Sequence, residues 1–372
     1  MLDSAIPDHL HCTRTQPSSL PPNFQPPYPS YSVRFPEHAS QLVMAIIGAQ
    51  YPTAAGADDG AAQSTLSTFL TSPTNPPSFF EWASVTDNKG FYNLSALAYW
   101  PNKAAYEAWA EQSGFSAWWA ALDTHEQEQE QNDPGWFLEV FFPTMDRLET
   151  LFNTTDAAEG CAHMGEAMSG EVREHGYWGS MRDRLPLSQT DRLAGTPATT
   201  ENSHTASSTS TSTGTRVRIK IPGKKNLTVI RSGQNWSNTS PSERALYLET
   251  MHPVLTKGMD FLRDRGDEVG CYSCRFMEIV SDPMVADKSS NNMDRTFGLA
   301  YFDDLASLER WCKEHPTHLA IFGGFHQYAR KLDNNVTLRV FHEVMVLEPE
   351  QQLFEYVGCH PGTGMMWMTG SG

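Results

Sequence analysis

An internal repeat limits the possible folds of this chain more than any other feature of its sequence. Leu97-Ala-Tyr-Trp100 matches Leu299-Ala-Tyr-Phe302, and Trp109 matches Trp311, always 202 residues apart. Each copy has the pattern of a strand, a turn, a helix with an aromatic anchor, a second helix and a later strand. The chain is therefore predicted to be a duplicated α+β unit, with two antiparallel sheets that are each covered by helices on one face.

Changes in composition divide the chain into four parts. Residues 1–40 are rich in proline and predict an extended arm. Residues 41–186 form the first half, and residues 216–372 form the second half. Between them, residues 187–215 are dominated by Ser, Thr and Gly, which predicts a flexible insertion.

Charge and hydropathy exclude several classes of partner. With 27 Lys and Arg against 44 Asp and Glu, the net charge of −17 disfavours nucleic acid and anionic membrane surfaces. The N-terminus has no basic segment followed by an apolar run, and no window approaches a membrane span, so we expect a cytoplasmic protein. The six cysteines are then expected to be free thiols. Cys271 and Cys274 have C-x-x-C spacing but no second pair, so a metal or redox role is the weaker interpretation.

Two histidines flank a proline between two predicted helices. Pro316 disfavours helical geometry at His315, so a helix is expected to end there and a second one to begin, carrying His318 in its first turn. Apolar residues follow at 319, 321 and 322. His318 is either an ordinary residue at a helix joint or an axial ligand against a flat apolar cofactor. The repeat places Ser116 at the equivalent position, which favours the ligand.

Other candidates remain ambiguous from their spacing. His342 shares one face of a predicted strand with apolar residues, so it is either a satisfied core group or a proton donor in an apolar cavity. Ser232 precedes a glycine at a strand end, which is typical of a turn. His326 is interpreted as ordinary packing. Residues 146–152 are predicted to form a helical turn, and residues 170–185 a polar, aromatic loop that is either a solvated surface or a site.

Five stretches of the sequence resemble the aldoxime dehydratases, also called phenylacetaldoxime dehydratases. The most specific is Glu174-His-Gly-Tyr-Trp-Gly-Ser-Met-Arg-Asp-Arg184. The others follow in the order of that family: Val229–Gln234, Met259–Arg263, His315–Leu319 and Phe354–Gly364. The resemblance runs from about residue 25 to residue 364, and the Ser/Thr-rich segment is where the chain departs from it.

The resemblance implies a fold, a cofactor and a reaction. The family's fold is a duplicated ferredoxin-like α+β barrel, and its members are haem enzymes, here implying haem b with ferrous iron and a homodimer. They convert aldoximes, R–CH=N–OH, to nitriles. By position, His318 resembles the proximal iron ligand, His342 the distal acid–base residue and Ser232 the hydroxyl that binds the substrate OH. Arg184 and Glu149 resemble the pair that supports them.

The implied residue types suit the implied chemistry. Hydroxide is a poor leaving group, and an imidazole, which ordinarily titrates near neutrality, can protonate it as the N–O bond breaks. Three alternatives stay open from the sequence: a haem-binding sensor or carrier on the same fold, a peroxidase-like enzyme on a related barrel, and a structural protein without a cofactor.

Overall fold

The computed structural model describes residues 2–21, 23–57, 60–122, 133–175, 180–196, 207–208, 216–281 and 292–366. Its strands are β1 (Val33–Arg34), β2 (Val43–Tyr51), β3 (Phe79–Thr86), β4 (Tyr92–Trp100), β5 (Gly135–Phe141), β6 (Leu148–Phe152), β7 (Ala167–Met168), β8 (Ser207–Ser208), β9 (Arg218–Ile221), β10 (Leu227–Asn235), β11 (Cys271–Val280), β12 (Asn292–Phe302), β13 (Arg339–Leu347) and β14 (Gln352–Val357). Its α-helices are α1 (Ala61–Leu70), α2 (Lys103–Gln112), α3 (Phe115–Ala121), α4 (Pro241–Leu246), α5 (His252–Arg265), α6 (Leu305–Glu314) and α7 (Pro316–Lys331).

Twelve of the described strands form one curled antiparallel sheet, in the order β6-β13-β10-β12-β11-β3-β4-β2-β5-β14-β9-β8. The order β13-β10-β12-β11 in the second half corresponds to β5-β2-β4-β3 in the first half, read in the opposite direction along the sheet. The α+β prediction is therefore confirmed. The predicted pair of separate sheets is not, because β3 and β11 pair antiparallel and join the halves into one sheet. Each half also lends an edge strand to the other, since β6 pairs with β13 and β14 with β5.

The predicted helical turn at residues 146–152 is wrong. Only Met145–Arg147 forms a short 3-10 helix, and Leu148–Phe152 is the fully buried strand β6. The sequence of this segment does not reveal its partner, β13, which lies almost two hundred residues later and satisfies the backbone hydrogen bonds of β6. The correction matters because Glu149 lies on this strand.

Helix boundaries around the two prolines agree with expectation. α6 ends at Glu314 and α7 begins at Pro316, with His315 between them as the cap of both. Just before Pro253, a five-residue π-helical turn, Tyr247–Met251, separates α4 from α5. A proline lacks the backbone N–H and clashes with the preceding turn, so a wider turn before it relieves the conflict.

The two halves fill the space between sheet and helices differently. In the first half, packed rings occupy this space: Trp100 lies 4.6 Å from Trp109, which stacks on Phe115 at 4.8 Å. In the second half, α5 and α7 leave a cavity against the sheet. No helix among the described residues is long and apolar enough to cross a membrane. Of the predicted insertion, residues 197–206 and 209–215 lie outside the described residues.

The opposite face of the sheet carries a buried charged cluster centred on Arg231. Arg231 lies opposite Glu343 in the β10–β13 ladder, and its Nη1 is 3.2 Å from a Glu343 carboxylate oxygen. It also forms an ion pair with Glu81. Because Arg231 is only 1% exposed, water does not compete for these contacts. Burial alone would lower the pKa of Arg231, but Tyr99, Glu81 and Glu343 together raise it. The cluster therefore stays ionised and joins strands of both halves.

Arg231→Met is expected to destabilise the protein by about 3–5 kcal/mol, because it leaves Glu343 buried without its cation and Glu81 with Arg295 alone. Urea unfolding measures the loss. Lys220→Met is the matched control: Lys220 pairs with Glu355, but its side chain is 62% exposed, so a change below about 1 kcal/mol is expected. Equal small losses for both variants would show that the Arg231 cluster does not stabilise the fold.

Candidate active site

Sheet register brings Ser232 and His342 together. They lie directly opposite each other in the antiparallel β10–β13 ladder. Residues opposed in this way point to the same face of the sheet, with Cβ atoms about 4.5–5.5 Å apart. On the other side of Ser232, β12 places Gly298, which has no side chain to crowd the hydroxyl. Both polar side chains therefore face the helices of the second half.

Glu149 reaches His342 from the neighbouring strand β6. Leu151 lies opposite His342 in the β6–β13 ladder, and Glu149 is two residues away on the same face. This diagonal position suits a long side chain. Its Oε1 lies 2.9 Å from Nε2 of His342. The carboxylate therefore holds one edge of the imidazole.

Arg184 completes the cluster from the short 3-10 helix Met181–Arg184. Its Nε donates to Glu149 at 2.8 Å, and its Nη2 lies 3.2 Å from Nε2 of His342. Nη1 donates to the backbone oxygen of Glu174 at 2.9 Å, which fixes the guanidinium to the preceding loop. Arg184, Glu149 and His342 are 2%, 4% and 3% exposed. A carboxylate and a guanidinium of opposite charge thus both contact the same nitrogen of the ring.

The charge state of Glu149 follows from its partners. Burial would raise the pKa of its carboxyl, but Arg184 and His342 lower it to about 2. Glu149 is therefore ionised at any pH at which the protein is expected to be folded, and it balances the guanidinium inside a dry region.

A cavity lies between this sheet face and the helices, and the empty space there, including the part open to solvent, is about 1070 Å³. Its walls are mainly apolar, and they come from β10, β12 and β13 on one side and from α5, α6, α7 and the π-helical turn on the other: Met181, Ile230, Ser232, Gln234, Tyr247, Met251, Leu255, Met259, Leu262, Gly298, Ala300, Phe302, Trp311, Cys312, His318, Ile321, Phe322, Phe325, Leu338, Val340, Phe341 and His342. Mainly apolar walls with a few polar groups are typical of sites that bind an organic ligand or cofactor.

His318 enters the cavity from the first turn of α7, on the helix wall. Burial lowers its pKa to about 4, and the backbone of Cys312 offsets this only in part. The side chain is half-buried because one edge faces the cavity, while its enclosed Nδ1 forms no hydrogen bond with a described residue. Trp311 contacts the ring edge-on at 4.8 Å between centroids. The imidazole is therefore neutral at physiological pH, which is the form that binds metals.

The neighbouring histidines have structural contacts. His315 caps α7, since its Nδ1 lies 2.8 Å from the Thr317 hydroxyl, and its ring stacks on Phe261 at 4.0 Å. His326, predicted to pack ordinarily, lies 2.7 Å from the Tyr28 hydroxyl of the N-terminal arm. Ser116, the counterpart of His318 in the repeat, is exposed.

The structure thus brings the predicted site residues into two groups: Ser232, His342 and His318 line the cavity, whereas Glu149 and Arg184 contact His342 from outside its lining. Ser232, His342, Glu149 and Arg184 lie together on the sheet side, and His318 lies on the helix side. Their roles in catalysis stay a prediction.

Two polar residues of the cavity were missed by the sequence analysis. Gln234 shares the face of Ser232, two residues along β10, so strand alternation could have identified it. Tyr247 gave no such signal, because it begins the π-helical turn, which changes the helical phase.

Stability should depend on pH through Glu149. Its folded pKa of about 2 lies below the ordinary 4.5, so its stabilisation is complete above pH 4.5 and is lost as the pH falls towards 2. Between pH 6 and pH 3.5 the wild type should lose roughly 1 kcal/mol through this group, and Glu149→Gln should not. Urea unfolding of both proteins at the two pH values measures this. A gap between them that stays the same at both values would contradict the assignment.

Comparison with known proteins identifies the family. The model of the haem-containing dehydratases matches residues 45–365. The chain is 38% identical over 368 residues to an aliphatic aldoxime dehydratase of a Pseudomonas species, covering 98% of each chain. It is 30% identical over 350 residues to the phenylacetaldoxime dehydratase of Bacillus sp. strain OxB-1, covering 94% of this chain and 93% of the relative.

Two solved structures have the same fold. A crystal structure of an aldoxime dehydratase superposes with a TM-score of 0.86 at 36% identity, covering 98% of each chain. A second aldoxime dehydratase, in complex with butyraldoxime, gives a TM-score of 0.84 at 33% identity, covering 98% of this chain and 96% of the other. By the match of its family model and by these full-length relatives, the chain belongs to the haem-containing dehydratase family.

Proposed function

We propose that this protein carries out the haem-dependent dehydration of an aldoxime to a nitrile, with His318 as the iron ligand and His342 as the acid–base residue. Family membership supports the reaction. The observation that supports the assignment of residues is that His318 and His342 face one apolar cavity from opposite walls. The relatives named above suggest an aliphatic or arylacetaldoxime as the substrate.

The cavity suits haem b. A neutral, buried imidazole on the helix wall can donate to iron, and the apolar walls match a flat macrocycle. On the sheet wall, Gly298 and Ala300 lie near Ser232. Because neither has a large side chain, there is room for a planar group against the sheet. Ferrous haem, when bound, supplies an iron that binds the oxime nitrogen and gives electron density to the N–O bond.

His342 moves the protons in this proposal. It donates a proton to the hydroxyl oxygen as the N–O bond breaks, so that water leaves rather than hydroxide. It then takes the proton from the oxime carbon as the C–N triple bond forms, which restores its starting state. Glu149 and Arg184 lie 2.9 Å and 3.2 Å from Nε2 of His342, and these contacts fix the position of the imidazole. One imidazole can therefore act as acid and then as base.

Ser232 and the supporting pair orient the reactants. Ser232 stands beside His342 on the same face, where its hydroxyl can bind the substrate OH and hold it for protonation. Arg184 and Glu149 bind each other at 2.8 Å and hold the imidazole from behind. The apolar walls exclude water, which keeps these interactions strong.

We also infer the wider organisation of the protein. The same strand order in both halves supports two ferredoxin-like units at residues 41–186 and 216–372, joined by the 187–215 insertion and preceded by the 1–40 arm. Six free cysteines support a reducing, cytoplasmic location. The resemblance to the family supports a homodimer, which sedimentation would test.

His318→Ala should lose haem, because it removes the proposed iron ligand while the cavity stays apolar. The Soret absorbance per protein chain measures the loss. His315→Ala is the matched control: it removes a helix cap near the cavity but no proposed ligand, so it should keep most of the haem. Haem binding to His318→Ala at the wild-type level and with the wild-type spectrum would show that another residue is the ligand.

His342→Ala should keep haem and lose turnover by about 10²–10⁴-fold, the usual contribution of a general acid–base residue. Nitrile formation from phenylacetaldoxime by the dithionite-reduced enzyme, under anaerobic conditions, measures it. Normal turnover by this variant would refute the acid–base role.

The wild type separates the alternative functions. A Soret band without nitrile formation would indicate a haem sensor, and peroxide-dependent dye oxidation would indicate a peroxidase-like enzyme.

A further inference from the structure

One end of the cavity carries a buried hydroxyl that the proposed reaction does not use. Tyr247 lines the cavity and is 1% exposed, yet its hydroxyl forms no hydrogen bond with a described residue. Leaving a buried hydroxyl without a partner costs roughly 1–3 kcal/mol. A ligand that forms a hydrogen bond with this hydroxyl would explain why the position is occupied by tyrosine and not by phenylalanine.

The ring of Tyr247 is fixed in position. It begins the π-helical turn Tyr247–Met251, a geometry frequent at functional sites. Trp236 lies 4.9 Å from it and Tyr328 lies 6.4 Å from it, between ring centroids. The hydroxyl therefore cannot swing away to solvent.

A second donor lies at the same end of the cavity. Thr296 and Gln234 are directly opposed in the β10–β12 ladder, and the threonine hydroxyl donates to Oε1 of Gln234 at 3.0 Å. Nε2 of Gln234 donates to the backbone oxygen of Ser232 at 3.2 Å, which uses one of its two hydrogens. Thr296 also approaches the Tyr247 hydroxyl and partly offsets the rise in pKa that burial causes there, but the two hydroxyls do not reach hydrogen-bond geometry. Tyr247 and Gln234 thus present O–H and N–H donors in an otherwise apolar space.

The position of this polar end relative to the reaction centre is set by the strand. Gln234 follows Ser232 by two residues on the same face of β10, which corresponds to about 7 Å along the strand. A group bound there is too far from Ser232 to be the oxime itself. It would lie on the side chain R of an aldoxime R–CH=N–OH.

The residues that line the cavity determine whether a bound substrate group can carry a charge. Among the described residues that line the cavity there is no lysine or arginine. An ionised carboxylate buried against neutral donors alone would keep a large desolvation cost. A neutral oxygen avoids that cost and still accepts from O–H and N–H.

We propose that Tyr247 and Gln234 form a specificity subsite for aldoximes whose R group carries a neutral oxygen acceptor, such as an ether, several bonds from the oxime carbon. This inference rests on the proposed function. Tyr247 acts here by binding the substrate, and it takes no part in the proton transfers.

The test uses two substrates that differ only by an ether oxygen in place of a methylene: 5-methoxypentanal oxime and heptanal oxime. Both are given separately to the ferrous holoenzyme under anaerobic conditions, and the ratio of their kcat/KM values is measured. Tyr247→Phe should lower the ether-to-methylene ratio about 3- to 10-fold, which is the effect of one neutral hydrogen bond. Because each protein serves as its own reference, a general loss of activity does not affect the ratio.

Tyr328→Phe is the matched control. It removes a hydroxyl from the same aromatic cluster, but that hydroxyl donates to Glu243 at 2.9 Å and lines no part of this cavity. Its ratio should equal that of the wild type. An unchanged ratio in Tyr247→Phe, with both substrates still converted, would overturn the subsite and leave the proposed function intact.

Two further outcomes would overturn the subsite. If the wild type forms nitrile from neither substrate nor from phenylacetaldoxime, the proposed function fails and the subsite fails with it. The second outcome is that the Tyr247 hydroxyl binds haem and not the substrate, and the rate of haem transfer to apomyoglobin tests this. Tyr247→Phe should release haem at the wild-type rate, and faster release by this variant but not by Tyr328→Phe would overturn the proposal and assign the hydroxyl to haem.

Discussion

The pairing of β10 with β13 has a buried ion pair on one face and two candidate site residues on the other. Arg231 opposes Glu343, and the next pair in the ladder is Ser232 with His342. Side chains alternate between faces with a period of two, so a slip of one residue in either strand would move the charged residue of that strand to the cavity face. The two charges would then be buried on opposite faces without each other, at a high desolvation cost. The register that stabilises the interior of the sheet is thus the register that assembles the site.

The cavity exists because the two halves of the repeat use their volume differently. In the first half, Trp109 and Phe115 stack between sheet and helices, and the residue at the ligand position, Ser116, faces outwards. In the second half, α5 and α7 stand over a sheet face with Gly298 and Ala300. Close packing elsewhere keeps this space defined, since a densely packed interior does not collapse into it freely. The two halves thus share a strand order, and smaller side chains on the sheet face of the second half leave the space.

The two histidines that line the cavity have different electrostatic surroundings. On the sheet side, Arg184 and Glu149 are ionised and neutralise each other while both contact His342. On the helix side, burial keeps His318 neutral and therefore able to bind a metal. Two histidines in one protein thus have different environments, one between opposite charges and one among apolar groups. Environment, rather than residue type, separates the proposed acid–base residue from the proposed ligand.

The sequence by itself determined the α+β class, the repeat, the helix joint at His315 and, through resemblance, the family, while the roles of the five site residues stay a prediction. It could not determine that Glu149 lies on a strand, because the segment's partner, β13, is remote along the chain and local spacing resembled a turn. Nor could it show that Tyr247 reaches the cavity, since a π-helical turn changes the phase of the helix. Local patterns encode which elements form. Which side chains meet is decided by pairing and packing between distant segments, and only the tertiary structure contains these contacts.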